Sequence, residues 1–242
     1  MIISKSKNFI FIHIEKTGGT SIEEALLPFL SKNDIIFGGV TLDNTQKKLE
    51  TELWKHSDAN RIKEEVKEKW NTMYKFSIVR NPIEIMKSFY FYINKNLESL
   101  LIGDITQVVY DKNLKNEIEY DGSIVYTDDL RDLYFIESQL DGSEIDGFIT
   151  KMIVNNLKEV APQISKVDDS VELFDLSNIN NDWPIILNNI GLDKNIKLQV
   201  HNSSNKPKDI KLKNETINLI LNHFKQDYQI IDKNITKNWH IK

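Results

Sequence analysis

Apolar and polar positions along the chain keep two rhythms, one of short solid apolar runs and one of helical spacing. Residues 8–14 (NFIFIHI) are β-branched or aromatic on both faces, as in a central parallel strand covered by helices on each side. From Thr20 onward Ile22, Leu26 and Leu27 fall at helical spacing, with Ser21, Glu23 and Glu24 in the first turn, where hydroxyls and anions are favoured. That helix is expected to stop near Pro28. A second helix is predicted in SDANRIKEEVKEKWNTMY, capped by Ser57 and presenting Ile62, Val66 and Trp70 on one face. It leads into a second apolar strand, KFSIV, a polar turn at Arg80 and Asn81, and a helix opened by Pro82 with Ile85, Met86, Phe89 and Tyr90 on its apolar face.

Residues 98–150 break the rhythm. DGSIVYTDD and LDGSEIDG mark turns around a short helical stretch at Leu130 to Leu140, as in an insertion or an acceptor-facing segment. Beyond it, SVELFDL reads as a strand and NNDWPIILNNIGL as a helix closed by Gly191. NETINLILNHFKQDY reads as an amphipathic helix capped by Asn214 with Ile217, Ile220, Leu221 and Phe224 inward. Strands alternating with helices predict an α/β fold, a doubly wound, mainly parallel sheet with helices on both faces, formed as a single domain over 1–242. Ligands of such sheets sit at the carboxyl ends of the strands.

Composition narrows the chemistry. With 242 residues and 40% hydrophobic content the chain can bury a proper core, and the absence of cysteine excludes disulfides, thiolate zinc sites and a cysteine nucleophile. The histidines and carboxylates show no metal-ligand spacing, so no metal is expected. A net charge of −5 argues against a nucleic-acid partner. The amino-terminal apolar run is well short of the ~20 residues of a membrane span and has no small-residue cleavage site, so a strand and a cytoplasmic location are expected. Arginine occurs only at 61, 80 and 131 in a lysine-rich chain.

Two loops carry candidate chemistry. In EKTGGTS, Gly18 and Gly19 let the backbone turn its amides toward a ligand at a helix start, Thr17, Thr20 and Ser21 add hydroxyl donors, and Lys16 adds positive charge. All of this suits a phosphate. In the Walker loop the lysine directly precedes the hydroxyl residue, whereas here it precedes the glycines, which counts against an ordinary nucleoside triphosphatase. The second loop offers Arg80 at a strand end and Ser88 about two turns into the next helix, an arrangement able to hold another phosphate.

FIHIEKTGGTSI, WKHSDANRIKEEV, FSIVRNPIEIMKSFYFY and, more loosely, VELFDLSNI and VHNSSNK follow in order the pattern of a sulfotransferase family. The chain resembles the branch that includes carbohydrate and heparan-type 2-O-sulfotransferases and bacterial relatives, over about residues 8–95 and 160–232. The resemblance implies the P-loop-like sulfotransferase fold and 3'-phosphoadenosine 5'-phosphosulfate as co-substrate. Lys16 and the amides of Thr17, Gly18, Gly19 and Thr20 would hold its 5'-phosphosulfate, with Thr20 and Ser21 as hydroxyl donors. Arg80 and Ser88 would hold its 3'-phosphate.

Sulfuryl transfer needs a base for the acceptor hydroxyl and positive charge on the departing phosphate. Lys16 suits the second task. His56, with an ordinary pKa of about 6.5 and the KHS position of the relatives, suits the first. Glu15 stands where relatives usually carry proline, and pairing with Lys16 or an outward side chain is expected. His13 is expected to be a packed core residue, His201, Asn202 and Ser204 could close over the nucleotide, and Trp54 could stack on adenine or a sugar. His223 and His240 are expected at the surface or in packing. The acceptor is expected to be hydroxylated, a carbohydrate first of all. A kinase-like nucleotide-binding protein and a non-catalytic member of the fold stand as alternatives.

Overall fold

The structure, a computed structural model, describes residues 1–37, 53–98, 105–109, 116–120, 123–127, 130–199 and 210–231. In chain order its elements are β1 (Ile2–Ser4), β2 (Phe9–Ile12), α1 (Gly19–Leu26), β3 (Ile35–Ile36), α2 (Ala59–Val66), β4 (Tyr74–Val79) and α3 (Pro82–Glu98). There follow β5 (Ile105–Val109), β6 (Asn116–Tyr120), β7 (Ser123–Thr127), α4 (Leu130–Leu140), α5 (Glu144–Val154), β8 (Glu172–Asp175), α6 (Ile179–Asn189) and α7 (Asn214–His223). They group into two compact units, one drawn from 1–81, 162–202 and 226–242, the other from 82–161 and 203–225.

The first unit is built on a sheet of order β3-β1-β2-β4-β8. β2, β4 and β8 run parallel, but β1 is antiparallel to both β2 and β3, so the sheet is mixed rather than mainly parallel. The cause is local: residues 5–8 alone join β1 to β2, and a connection that short returns the chain beside itself, whereas a parallel partner needs a crossover of a dozen residues or more. The amino-terminal stretch that reads as one strand is therefore a hairpin.

Helices cover both faces, as the apolar runs predict. On one face Phe9, Phe11, Phe76, Ile78 and Phe174 meet Ile22 and Leu26 of α1 and Trp183, Ile186 and Leu187 of α6. On the other, Ile3, Ile10 and Ile12 meet Ala59 and Ile62 of α2 and Trp70. Two details depart from the sequence expectations. Asp58, not Ser57, caps α2, accepting from the Arg61 amide at 3.0 Å, while the Ser57 hydroxyl accepts from the Trp54 amide at 2.9 Å. The helix also stops at Val66, leaving Trp70 on a separate 3-10 turn, Lys67–Asn71.

The second unit packs α3, α4, α5 and α7 with a three-stranded antiparallel sheet, β5-β6-β7. Its aromatic centre is Tyr90, Phe135 and Phe148, with ring centroids 5.1 to 6.2 Å apart. The SIVYT stretch that reads as part of a turn is strand β7, paired with β6 so that Tyr120 faces Ser123. α7 begins after Lys213 with no side-chain cap from Asn214; the Lys213 amide instead donates to Asp146 at 3.0 Å.

Phe76 is fully buried, with its ring beside those of Phe9, Phe11 and Phe174. Phe76→Ala should cost about 3–5 kcal/mol, read as a lowered urea midpoint with an unchanged slope.

Candidate functional site

Because β2, β4 and β8 are parallel, the segments that follow them emerge at one edge of the sheet: 13–18 after β2, Arg80 and Asn81 after β4, and Leu176 after β8. α1 starts in the first of these segments. Gly18 caps it in the left-handed conformation (φ 82°) without any side-chain cap bond. A Cβ on Gly18 would stand 2.9 Å from Leu176 Cδ1, and one on Gly19 only 2.2 Å from His13 Cδ2. The two glycines thus answer different demands, a left-handed turn at 18 and close ring packing at 19. Lys16 also holds a left-handed backbone (φ 60°), a conformation that costs a lysine energy and recurs at ligand-binding loops.

The hydroxyls of the loop divide. Thr17 is fully buried and its hydroxyl donates to the Ile14 carbonyl at 2.9 Å, so it braces the loop; only its amide is left to the expected role. Thr20 is half-exposed and accepts from Lys55 Nζ at 3.4 Å, and Ser21 is buried, its amide donating to the Gly18 carbonyl at 3.0 Å.

Behind the loop lies a buried polar cluster. His13, at the end of β2, and Glu23, on α1, are joined by a 2.6 Å contact between Nδ1 and Oε1, and the Met1 amino group also donates to Glu23. Burial holds His13 down at about 4, overcoming the opposite pull of the Glu23 carboxylate. Burial, the largest single effect, acts to raise Glu23, but the hydrogen bonds and charge of His13 and the Met1 amino group together outweigh it and keep the carboxyl below its ordinary range. Lys55 approaches the second Glu23 oxygen at 3.9 Å.

His56 is half-buried against this cluster. Its ring centroid lies 4.6 Å from that of His13, edge to face, and its Nδ1 is 2.9 Å from the His13 carbonyl oxygen. A carbonyl can only accept, so Nδ1 carries the proton and the neutral ring keeps its lone pair on Nε2. Burial, reinforced by His13, pushes His56 down to about 3, which keeps it neutral at neutral pH but makes it a weaker proton acceptor than the ordinary value of about 6.5 that recommended it as a base. Trp54 is 39% exposed and meets the His56 ring edge-on at 5.4 Å.

Arg80 joins the second loop to the first: its Nη1 donates to the Lys16 carbonyl at 3.1 Å. Lys16, Thr20, His56 and Arg80 therefore come together at one sheet edge. Ser88 does not belong to this first unit; it lies half-buried on α3, in the second. Glu15 is buried, not directed outward, and pairs at 3.4 Å with Lys166, a partner distant in sequence. Gln163, which holds the Arg80 backbone, and Asp227, which holds Gln163, carry no motif and are legible only in the structure, as is the placement of Lys55, a residue of the KHS segment, beside Thr20. His223 bonds the Val160 carbonyl at 2.8 Å in a packing role. The expectations for His201, Asn202, Ser204 and His240 lie outside the described residues.

Among the described residues no helix is long and apolar enough to cross a membrane, and no three acidic, histidine or cysteine side chains gather as a metal site. The sequence profile of the Sulfotransferase family matches residues 1–238. No curated protein and no solved structure matches the chain.

An unfolded histidine takes up its proton near pH 6.5, whereas folded His13 resists until about 4. The unfolded state binds more protons between those values, so stability should fall as pH is lowered through that window. Urea midpoints at about pH 7 and about pH 5 should differ more for the wild type than for His13→Gln, which removes this titration.

Proposed function

The chain belongs to the sulfotransferase family, and from that membership we propose that it moves a sulfuryl group from 3'-phosphoadenosine 5'-phosphosulfate to a hydroxyl of a carbohydrate acceptor. The observation that carries the choice of donor is the bond from Arg80 Nη1 to the Lys16 carbonyl, which places an arginine beside a loop of helix-start amides and a lysine. Such a pair of cation sites suits a nucleotide with phosphates at two separated positions. The 5'-phosphosulfate is assigned to Lys16 and to the amides of 17–20, with Thr20 and Ser21 as hydroxyl donors, and the 3'-phosphate to Arg80. Ser88 enters the assignment on the family resemblance alone.

In the reaction proposed, the acceptor oxygen forms a bond to sulfur while the bond from sulfur to the 5'-phosphate oxygen breaks. His56 takes the hydroxyl proton on Nε2, the nitrogen left unprotonated by the bond from Nδ1 to the His13 carbonyl. Lys16 meets the charge that gathers on the departing phosphate, and Lys55, at the same helix start, adds to that field. The exposed indole of Trp54 beside His56 favours a carbohydrate, because an aromatic face takes a sugar ring while leaving its hydroxyls to polar neighbours. The segment 98–150 is proposed, on its sequence, to carry acceptor specificity within one sulfotransferase domain.

Calorimetry tests the donor: 3',5'-bisphosphoadenosine should bind far more tightly than AMP, and equal affinities would defeat the proposal. Arg80→Ala should remove roughly ten- to a hundredfold of that advantage, as expected for losing a hydrogen-bonded charge. It should also weaken AMP somewhat, because the Lys16 carbonyl loses its donor. His56→Ala should lower transfer to a sugar acceptor by about 10²- to 10⁴-fold with bisphosphoadenosine affinity unchanged. Transfer unaffected by that change would remove His56 from the base role. Because burial keeps His56 neutral well below its ordinary pKa, kcat/KM should stay level from about pH 7 down to about pH 5, without an acid limb centred near 6.5.

A further inference from the structure

β4 makes its last parallel pairing at Val79, opposite Asp175, and a buried side chain bonds the main chain of Arg80, the next residue. Gln163 is 1% exposed; its Oε1 accepts from the Arg80 amide at 2.8 Å and its Nε2 donates to the Arg80 carbonyl at 2.8 Å. Asp227, fully buried, then accepts from Gln163 Nε2 at 3.1 Å, from the Gln163 amide at 3.0 Å and from the Ile164 amide at 3.1 Å.

Resting on the donor proposed above, we infer that Gln163 is a positioning residue that sets selectivity for the 3'-phosphate by fixing the backbone from which the Arg80 side chain departs. Gln163 is too deeply buried to meet a nucleotide itself, so it acts through Arg80. Its amide can face only one way. The Arg80 N–H requires an acceptor, while the Arg80 carbonyl and the Asp227 carboxylate both require a donor, and an amide alone offers one of each at this length. Glutamate lacks the donor, methionine lacks both, and asparagine is one methylene short. The same 3-10 turn, Gln163–Lys166, carries the Lys166 that pairs with Glu15, so a single short turn braces the segments after both β2 and β4.

The test is calorimetric binding of 3',5'-bisphosphoadenosine and of AMP to the wild type, Gln163→Met and Gln163→Glu, with thermal melts to establish folding. AMP lacks only the 3'-phosphate, so general damage to the fold weakens both ligands alike, whereas a misplaced Arg80 weakens bisphosphoadenosine far more than AMP, which feels only the loosened Lys16 carbonyl. Each folded variant should lose about tenfold of the ratio between the two ligands, with AMP affinity changed by less than about threefold. Should neither variant fold, Gln163→Asn, which keeps an amide, is measured in the same way, and the same loss is expected. A ratio retained within about twofold in the folded variants overturns the role of Gln163 while leaving the donor proposal intact. A wild type that binds both ligands equally overturns the donor proposal, and the positioning role falls with it.

Discussion

A carboxylate enclosed by protein must be given protons to accept, and that demand, at Glu23, organises the site. His13 answers it through Nδ1, tying α1 to the end of β2. The bond fixes the imidazole plane, and the fixed ring occupies the space where a side chain at position 19 would begin. The main-chain carbonyl of the same histidine meets His56 and decides which of its nitrogens bears hydrogen. The demand for glycine at 19 and the protonation pattern of the candidate base therefore both descend from His13, the first from its ring and the second from its main-chain carbonyl.

Charge shows a similar economy of placement. The chain is acidic as a whole, at −5, yet Lys16, Lys55, Arg80 and Lys166 all reach the carboxyl edge of the parallel strands. The acids among them are directed inward or sideways, Glu23 toward His13 and Glu15 toward Lys166. Net charge is a sum over a surface, while binding responds to the local field, so an acidic protein can present a cationic edge.

The parts legible in the sequence were those governed by short-range rules. The solid apolar run of β2, the helical spacing of α1 and the proline that opens α3 each fixed an element without reference to the rest of the chain. The glycine pair and Arg80 were visible because their chemistry is written in residue type. What escaped depended on distance in sequence or on competition between neighbours. Lys166, which pairs with Glu15, is 151 residues away, beyond the reach of any argument from adjacency. Ser57 and Asp58 are both good caps, and only the turn at Trp54 decides between them. The antiparallel edge of the sheet was hidden because a four-residue connection inside an apolar stretch looks like continuation. Gln163 is an ordinary polar residue until the Arg80 main chain is seen bonded to it at the end of β4.

The clamp on Arg80 has a consequence for the order in which the molecule matures. Its first partner lies 83 residues downstream and that partner's own support a further 64. Contacts of such separation form after local ones, since the intervening chain must first give up its freedom. A folding chain therefore has its glycine turn and the β1–β2 hairpin before it has a correctly aimed arginine, and whatever depends on that arginine waits until residue 227 has docked.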